Sequence, residues 1–577
     1  MTISPPKKLP YGNANFKSVR TENNYAYVDK TQFIELLENE NNKSKIFIRP
    51  RRFGKSLFLS MLSYYYDVNY ADEFNQLFGD LYIGQNPTPL KNSYAVMAFN
   101  FSGINTTNFD AFQNSFFENI RDSVWRFLDN HKNIFSNIED ILLMIKNHKY
   151  SAFESLNWAF RMAESAKIKI FMTIDEYDHF ANDLIAMGST LGKDFYKNVI
   201  TANGLVRDFY EKLKIMSDSG IISQTFITGI SPVMLDELTS GYNIALNYSL
   251  KKRYNEMLGF TRDEVNKLMN EVGINPTKIV VDMEYYYNGY LFNEEAENKV
   301  YNSTMILYFF GQLLEDNSKM PKNLIDPNLS IDPKRLTYLI KNDSNRDTLI
   351  HIIKEGGIVS NILEKFSIDY LNDNNYFVSM LFYLGLLTIK DSTLDDLRLV
   401  IPNYSIQTTF WSYLREYLEN QSPEIKLDIQ ELNESIKAIA LDGDIHKFID
   451  YVSKNAFSKL SVYDLQRFDE KYIKVLLLSY LLLHNSYIPI SEYETAPGRT
   501  DIFLQRNPRF PQVKYEWALE LKYCKTDAKE LEISAKRKEG IEQLNQYINS
   551  SRLKDRPNLK SALIIFIGKD KYEIVEN

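Results

Sequence analysis

Two sets of residues, far apart in a chain of 577, have the types and spacing to handle phosphate. The first lies in IFIRPRRFGKSLFLSML, Ile46 to Leu62, where an apolar strand stops at Pro50 and Phe53-Gly54-Lys55-Ser56 opens an apolar helix. Gly54 lets backbone N–H groups approach a phosphate, and the new helix points its positive end at the same place. Lys55 reaches the outer phosphates and Ser56 faces Mg2+. Arg49 stands where the full phosphate-loop pattern has its first glycine, and Arg51 and Arg52 are placed to offset that loss.

Such a loop needs an acidic residue at the end of a neighbouring strand, and Ile170-Phe-Met-Thr-Ile-Asp-Glu-Tyr-Asp178 supplies it. Asp175 is the Mg2+ candidate, and Glu176 is placed to polarise the water that attacks a γ-phosphate. Thr228 ends the strand Gln224 to Thr228 and is a candidate sensor of that phosphate or water. ATP and Mg2+ are the cofactors these residues call for. Read blandly, an apolar strand ending in Asp-Glu is a solvated turn, but that reading leaves the Gly-Lys-Ser loop in the right order and context without a purpose.

The second set is Gly498-Arg-Thr-Asp501-Ile502 followed by Ala518-Leu-Glu520-Leu-Lys522. Alternate strand residues point the same way, so Asp501, Glu520 and Lys522 are predicted to share one face. Two carboxylates hold Mg2+ through hard oxygen ligands, while a lysine holds or helps deprotonate a metal-bound water aimed at a phosphodiester. The competing reading is a surface strand carrying a Glu–Lys ion pair. Arg499 and the run Lys536-Arg537-Lys538 are candidate phosphate contacts, although such a run is more often a solvated helix face. Glu494 reads equally as an extra ligand or a loop carboxylate.

The elements that must position these residues follow from periodicity. Short apolar runs at Ile46–Ile48, Tyr94–Phe101, Ile168–Ile174 and Gln224–Thr228 alternate with helix-like stretches, which implies a parallel sheet covered on both faces. From about Leu258 the pattern turns helical with few strand signals, beginning with capping-box spacing at Thr261 and Glu264. A long apolar helix from about Phe468 to His484 then precedes short strands at Asp501–Leu504, Glu516–Leu521 and Ala562–Ile567. The expected fold is multidomain α/β. It comprises a phosphate-loop parallel sheet over 1–260, a helical middle domain over 261–440 and a second α/β unit over 441–577.

Composition agrees with several packed cores, with 44% hydrophobic and 25% charged residues. A net charge of −8 argues against a wholesale polyanion coat and confines nucleic-acid contact to local basic patches. One cysteine, Cys524, rules out an internal disulfide and points to a reducing compartment. The run Val475–Leu483 is too short to span a bilayer and the N-terminus lacks a signal core, so the expectation is a soluble cytoplasmic protein without membrane contact.

At this point the chain resembles a known family. Arg49-Pro-Arg-Arg-Phe-Gly-Lys-Ser56, Ile174-Asp-Glu-Tyr-Asp178, Thr228-Gly-Ile-Ser231 and Tyr287-Asn-Gly-Tyr290 look like the predicted AAA-ATPase-like proteins, in which an arginine at the position of Arg49 is typical. Gly498 to Lys522 resembles the PD-(D/E)XK nuclease superfamily, with Thr500-Asp501 where Pro-Asp is usual. The resemblance implies a P-loop ATPase with a C-terminal restriction-endonuclease-like domain. It also assigns Glu470 as an additional helical carboxylate and Gln543 as the polar residue of the helix after the catalytic strands. Tyr285 to Tyr290 reads more simply as a packing cluster. The expected activity is Mg2+-dependent cleavage of DNA or RNA gated by nucleotide state. The alternatives are an ATPase switch with a non-cleaving binding module, or a motor. A homo-oligomer is compatible with this reading, with Arg253 an unranked candidate for an arginine offered to a neighbouring subunit.

Overall fold

The computed structural model describes all residues except 1–4, 23, 187–189, 201–203, 237–241, 280, 316–320, 322, 327–342, 367–372, 395, 461–468 and 577. Two compact units form, one from residues 1–318, 325–349 and 357–403, the other from residues 319–324, 350–356 and 404–577. The middle stretch expected as one helical domain is divided between them after Asn403.

In the first unit the expected strands form as β1 (Ser44–Ile48), β2 (Tyr94–Asn100), β3 (Lys169–Asp175) and β4 (Ile222–Gly229), joined by β5 (Ala245–Asn247). All pairings are parallel and the order is β2-β3-β4-β1-β5. Residues such as Phe47, Met97, Ile170, Met172 and Ile174 are wholly buried, because helices cover both faces and the strands read as continuous apolar runs. Those helices include α1 (Lys55–Tyr66), α2 (Phe109–Asn130), α3 (Ala152–Ser165) and α4 (Leu205–Asp218). Because β4 lies between β1 and β3, the loop after β1 and the carboxylates after β3 flank the end of β4. Ligands of open α/β sheets bind at such carboxyl ends. In this parallel sheet, β5 is the strand that sequence reading missed, being too short to show a period.

The middle region is helical, as its periodicity predicts. Helix α5 (Arg262–Glu271) starts with the capping box of Thr261 and Glu264, and α6 (Ser303–Glu315) and α7 (Asn374–Tyr383) follow. It also holds a small antiparallel sheet, β6 (Gly357–Val359), β7 (Thr388–Thr393) and β8 (Asp396–Val400), in the order β6-β8-β7. Four of the six β7 residues are exposed, so its charged, polar sequence carries no apolar alternation.

The second unit carries α8 (Glu470–Leu481), β9 (Tyr487–Thr495), β10 (Gly498–Arg506), β11 (Glu516–Cys524), α9 (Glu530–Ile548), β12 (Leu559–Ile567) and β13 (Lys571–Glu576). The sheet order is β13-β12-β11-β10-β9, with β11 and β12 parallel and the other pairs antiparallel. Phe468, the expected start of α8, lies outside the described residues. The described helix begins after Asp469, whose side chain caps it by accepting from the Tyr472 N–H. The missed strands, β9 and β13, are the two edges, where half-exposed polar side chains and Pro489 blur the pattern.

Candidate active sites

The phosphate loop is built from the sharp exit of β1. Arg52 has φ +68° and Gly54 φ +93°, the left-handed region that glycine enters without strain. Among the described residues, the backbone N–H groups of Phe53, Gly54, Lys55 and Ser56 donate to no protein backbone acceptor. They open at the N-terminus of α1, where the helix dipole favours an anion. This donor set fits a polyphosphate. Lys55 is buried at 7% exposure and folds back to donate to the Arg49 and Pro50 carbonyls, each at 2.9 Å. Burial pushes its ammonium down to about 8, against the pull of Asp175, Asp178 and Glu176.

Asp175 ends β3 at the centre of the site. Its Oδ2 accepts from Ser56 Oγ at 2.6 Å and its Oδ1 from Thr228 Oγ1 at 2.6 Å. Loop, acidic strand and sensor strand are thereby brought together. Ser56 and Asp175 are the residues here that could hold Mg2+. Glu176 follows with φ +52°, and its carboxylate lies 3.3 Å from His179 Nδ1. Burial holds the Glu176 carboxyl above its usual range, with His179 opposing.

Asp178 was not singled out by sequence, yet it fixes the end of β4. Its fully buried carboxylate accepts from the Ile230 and Ser231 N–H groups, Ser231 Oγ and Asn182 Nδ2, at 2.5 to 3.2 Å. Gly229 permits this, because a Cβ there would stand 2.4 Å from both Asp178 Oδ1 and the Tyr177 ring.

The Arg49, Phe53 and Arg52 side chains are engaged within the first unit. Arg49 is 1% exposed, lies between the Phe47 and Phe292 rings at 4.3 and 3.9 Å, and donates to the Ile48, Ser249 and Tyr254 carbonyls. Burial pushes its guanidinium down to about 9. The Phe53 ring is buried edge-on to Tyr290 and Phe292, which leaves its backbone as the part facing the loop. Tyr290 thus acts as packing beneath the loop, and Tyr286 and Tyr287 are buried with it. Arg52 is paired with Asp326 at 3.0 Å, whereas Arg51 is exposed. Asn302, Ser303 and Thr304, at the start of α6, hold the Arg51 and Arg52 carbonyls, an anchor with no motif to announce it.

In the second unit the β10–β11 register runs Ile502↔Leu519, Phe503↔Ala518, Leu504↔Trp517, which sets Asp501 opposite Glu520. Facing residues of an antiparallel pair share a side, and Lys522 follows two residues on. The structure therefore brings Asp501, Glu520 and Lys522 together. Asp501 Oδ2 accepts from the Leu521 N–H at 2.9 Å, and Lys522 Nζ donates to Glu520 Oε1 at 2.7 Å. Glu520 Oε2 is buried without a hydrogen-bond donor, as is Oε1 of Gln543 on α9, which packs on β10 and β11.

Among the described residues no three His, Cys, Asp or Glu side chains close on one point. Mg2+ is commonly held by one or two carboxylates with water in its other positions, and an orphaned buried carboxylate oxygen beside Asp501 fits that arrangement. Burial and then Asp501 push the Glu520 carboxyl up to about 7, with Lys522 opposing. Burial likewise raises Asp501 against Lys474, and raises the half-buried Glu470 at the start of α8, where Lys522 opposes it and Asp501 adds to it. Lys474 on α8 was missed by sequence reading. It is 6% exposed, ion-paired with Glu492 and 3.6 Å from Asp501 Oδ1. Tyr547 on α9 was also missed; burial raises its phenol, with Glu520 and Asp501 adding to the effect.

Several of the flanking candidates are ion-paired. Glu494 pairs with Arg499 at 3.0 Å, both exposed. In the basic run, Arg537 pairs with Glu573 at 2.6 Å, Lys536 is half-buried and Lys538 is exposed. Arg253 is exposed and pairs with Glu40 at 3.3 Å. Among the described residues no helix is long and apolar enough to cross a membrane.

Comparison with known proteins matches residues 10–239 to the predicted AAA-ATPase family and residues 468–576 to the PD-(D/E)XK nuclease superfamily. An uncharacterised protein of the vnfD 5′ region of Azotobacter chroococcum is 26% identical over 313 residues. The match covers 53% of this chain and 52% of that protein, so the chain spans about half the length of the curated relative it matches. Solved structures with a likeness include a Walker-type ATPase of Pyrococcus abyssi (TM-score 0.37, 11% identity, 66% of this chain and 94% of that one). Another is the ORC2 protein of Aeropyrum pernix (TM-score 0.34, 11% identity, 72% and 97%). The chain thus carries a module of the predicted AAA-ATPase family at residues 10–239 and a domain of the PD-(D/E)XK nuclease superfamily at residues 468–576.

Proposed function

We propose that the protein binds and hydrolyses ATP at the first site and cleaves nucleic-acid phosphodiesters with Mg2+ at the second, with nucleotide state gating cleavage. In the ATPase, the Arg51–Ser56 loop cradles the phosphates, Lys55 moves from the loop carbonyls to the outer phosphates, and Ser56 and Asp175 hold Mg2+. Glu176 orients the attacking water and Thr228 senses the γ-phosphate. In the nuclease, Asp501 and Glu520 hold Mg2+, which neutralises charge on the scissile phosphate when bound. Lys522 holds and orients the attacking water through its ammonium, supported by Glu470 and Gln543.

The observation that carries the reading is Glu520. A carboxylate this buried, facing Asp501 and leaving one oxygen without a donor, is costly unless a cation or water completes it. DNA and RNA are both substrates in principle, since the attack concerns the phosphate alone.

The test is cleavage of labelled DNA and RNA by the full chain with Mg2+, in the absence of nucleotide and with ATP or ADP, for wild type and Lys55→Ala. Gated cleavage differs between nucleotide states in the wild type and loses that difference in Lys55→Ala. Equal cleavage in every state removes the gate. Mg2+-independent binding without nicking, unchanged in Asp501→Ala, supports a non-cleaving module instead.

A further inference from the structure

Lys474 lies one helical turn beyond Glu470, so both project from the same side of α8. Its ammonium has two carboxylate neighbours on two strands, Glu492 and Asp501. The β9–β10 register, Thr500↔Tyr493 on one side and Ile502↔Ser491 on the other, places Glu492 opposite Asp501. Glu492 has φ +52° inside a strand, a conformation that side chains rarely adopt and that needs local support. A cation between the two carboxylates supplies that support.

Two ammonium groups stand among these carboxylates: Lys474 lies against Glu492 and Asp501, and Lys522 pairs with Glu520. In two-metal phosphodiesterases a shared carboxylate bridges ions about 3.5–4 Å apart. Here Asp501 has the orphaned Glu520 oxygen on one side, and on the other the Lys474 ammonium stands 3.6 Å from its Oδ1.

We propose that Lys474 fills the place of a second divalent cation, so that this site takes one metal ion and not two. Lys474 is then a positioning residue: it orients Asp501 toward the single ion and prevents Glu492 from recruiting another. The inference rests on the reading of Asp501 and Glu520 as the metal-holding pair.

The test counts ions directly. Full-length protein, stripped of metal and free of nucleotide, is titrated with Mn2+ by calorimetry and electron paramagnetic resonance, with Asp501→Asn as the blank. The wild type is expected to bind one Mn2+ that is lost in the blank, with the spectrum of an isolated ion. Lys474→Met is expected to bind two, with spin–spin coupling between them, and Lys474→Arg to restore one. Two coupled ions in the wild type overturn the role of Lys474 and leave the metal pair standing. No ion above the blank in the wild type overturns the metal pair, and this inference with it. A single, tighter-bound ion in Lys474→Met also overturns the inference, because it reduces Lys474 to charge compensation. Should Lys474→Met fail to fold, the wild-type and Lys474→Arg counts decide.

Discussion

Ser56 Oγ donates to Asp175 Oδ2 at 2.6 Å, joining the first turn of the helix after the phosphate loop to the end of the acidic strand. The two groups that would share Mg2+ are thus in direct contact. Thr228 holds the other Asp175 oxygen, so the carboxylate is fixed from both sides. The missing partner is Lys55, which spends its charge on two loop carbonyls. Lys55→Ala should weaken ATP binding about 100-fold, the value of one or two charge-assisted phosphate contacts. Titration with a fluorescent ATP analogue reads this, and unaltered affinity contradicts the loop assignment.

Among the described residues the Glu176 carboxylate makes no hydrogen bond to the loop or to Asp175, and it faces His179. Glu176→Gln should keep ATP affinity within a few-fold and slow turnover by about 100-fold or more, the usual contribution of a positioned base. A steady-state phosphate-release assay decides; normal turnover removes the residue from the mechanism.

Arg49 occupies the place of the first loop glycine without pointing at the phosphates. Its stacking between two rings and its three carbonyl partners make it a core residue. Arg49→Met should cost on the order of 3 kcal/mol of stability, from lost stacking and carbonyls left without donors. Differential scanning of the melting temperature, beside an ATP titration near the permissive temperature, separates the two roles. A large loss of affinity in a fully stable variant contradicts this placement.

A Glu520 carboxyl raised to about 7 makes the second site pH-sensitive with a definite sign. In the metal-free protein the proton is held more tightly by the folded state than by the unfolded state. The resulting stability is full below the ordinary carboxyl range and is lost as pH climbs through about 7. Metal must displace that proton, so Mn2+ affinity should strengthen up to about tenfold per pH unit until about pH 7 and then level off. Calorimetry between pH 5.5 and 8.5 checks the slope, and Glu520→Gln should flatten it. Thermal melts in chelator add a second sign: Glu520→Gln should gain on the wild type at pH 8 and not at pH 5.

Much of this geometry was legible in the sequence, because buried parallel strands print as apolar runs and strand alternation sets Asp501, Glu520 and Lys522 on one side. What escaped reading has physical causes. Lys474 lies within α8 and Tyr547 in the last turn of α9, neither in a motif, and only tertiary packing brings them near Asp501. The edge strands β9 and β13 and the exposed hairpin of β7 and β8 lack apolar alternation because none of them keeps one face buried and the other exposed along its length. Asp178 reads from sequence as one more acid after Asp175, yet its four partners on two segments make it a structural brace. Arg49 stands in one dimension where the loop pattern has a glycine and packs in three as a core side chain.

The most direct measurement is nicking of end-labelled DNA and RNA by purified full-length protein with Mg2+ or Mn2+, with chelator, and with Glu520→Ala as the matched control. The expected result is metal-dependent cleavage by the wild type that Glu520→Ala reduces to background while its ATP binding stays intact. No cleavage under any metal and nucleotide condition, or equal cleavage by Glu520→Ala, would contradict it.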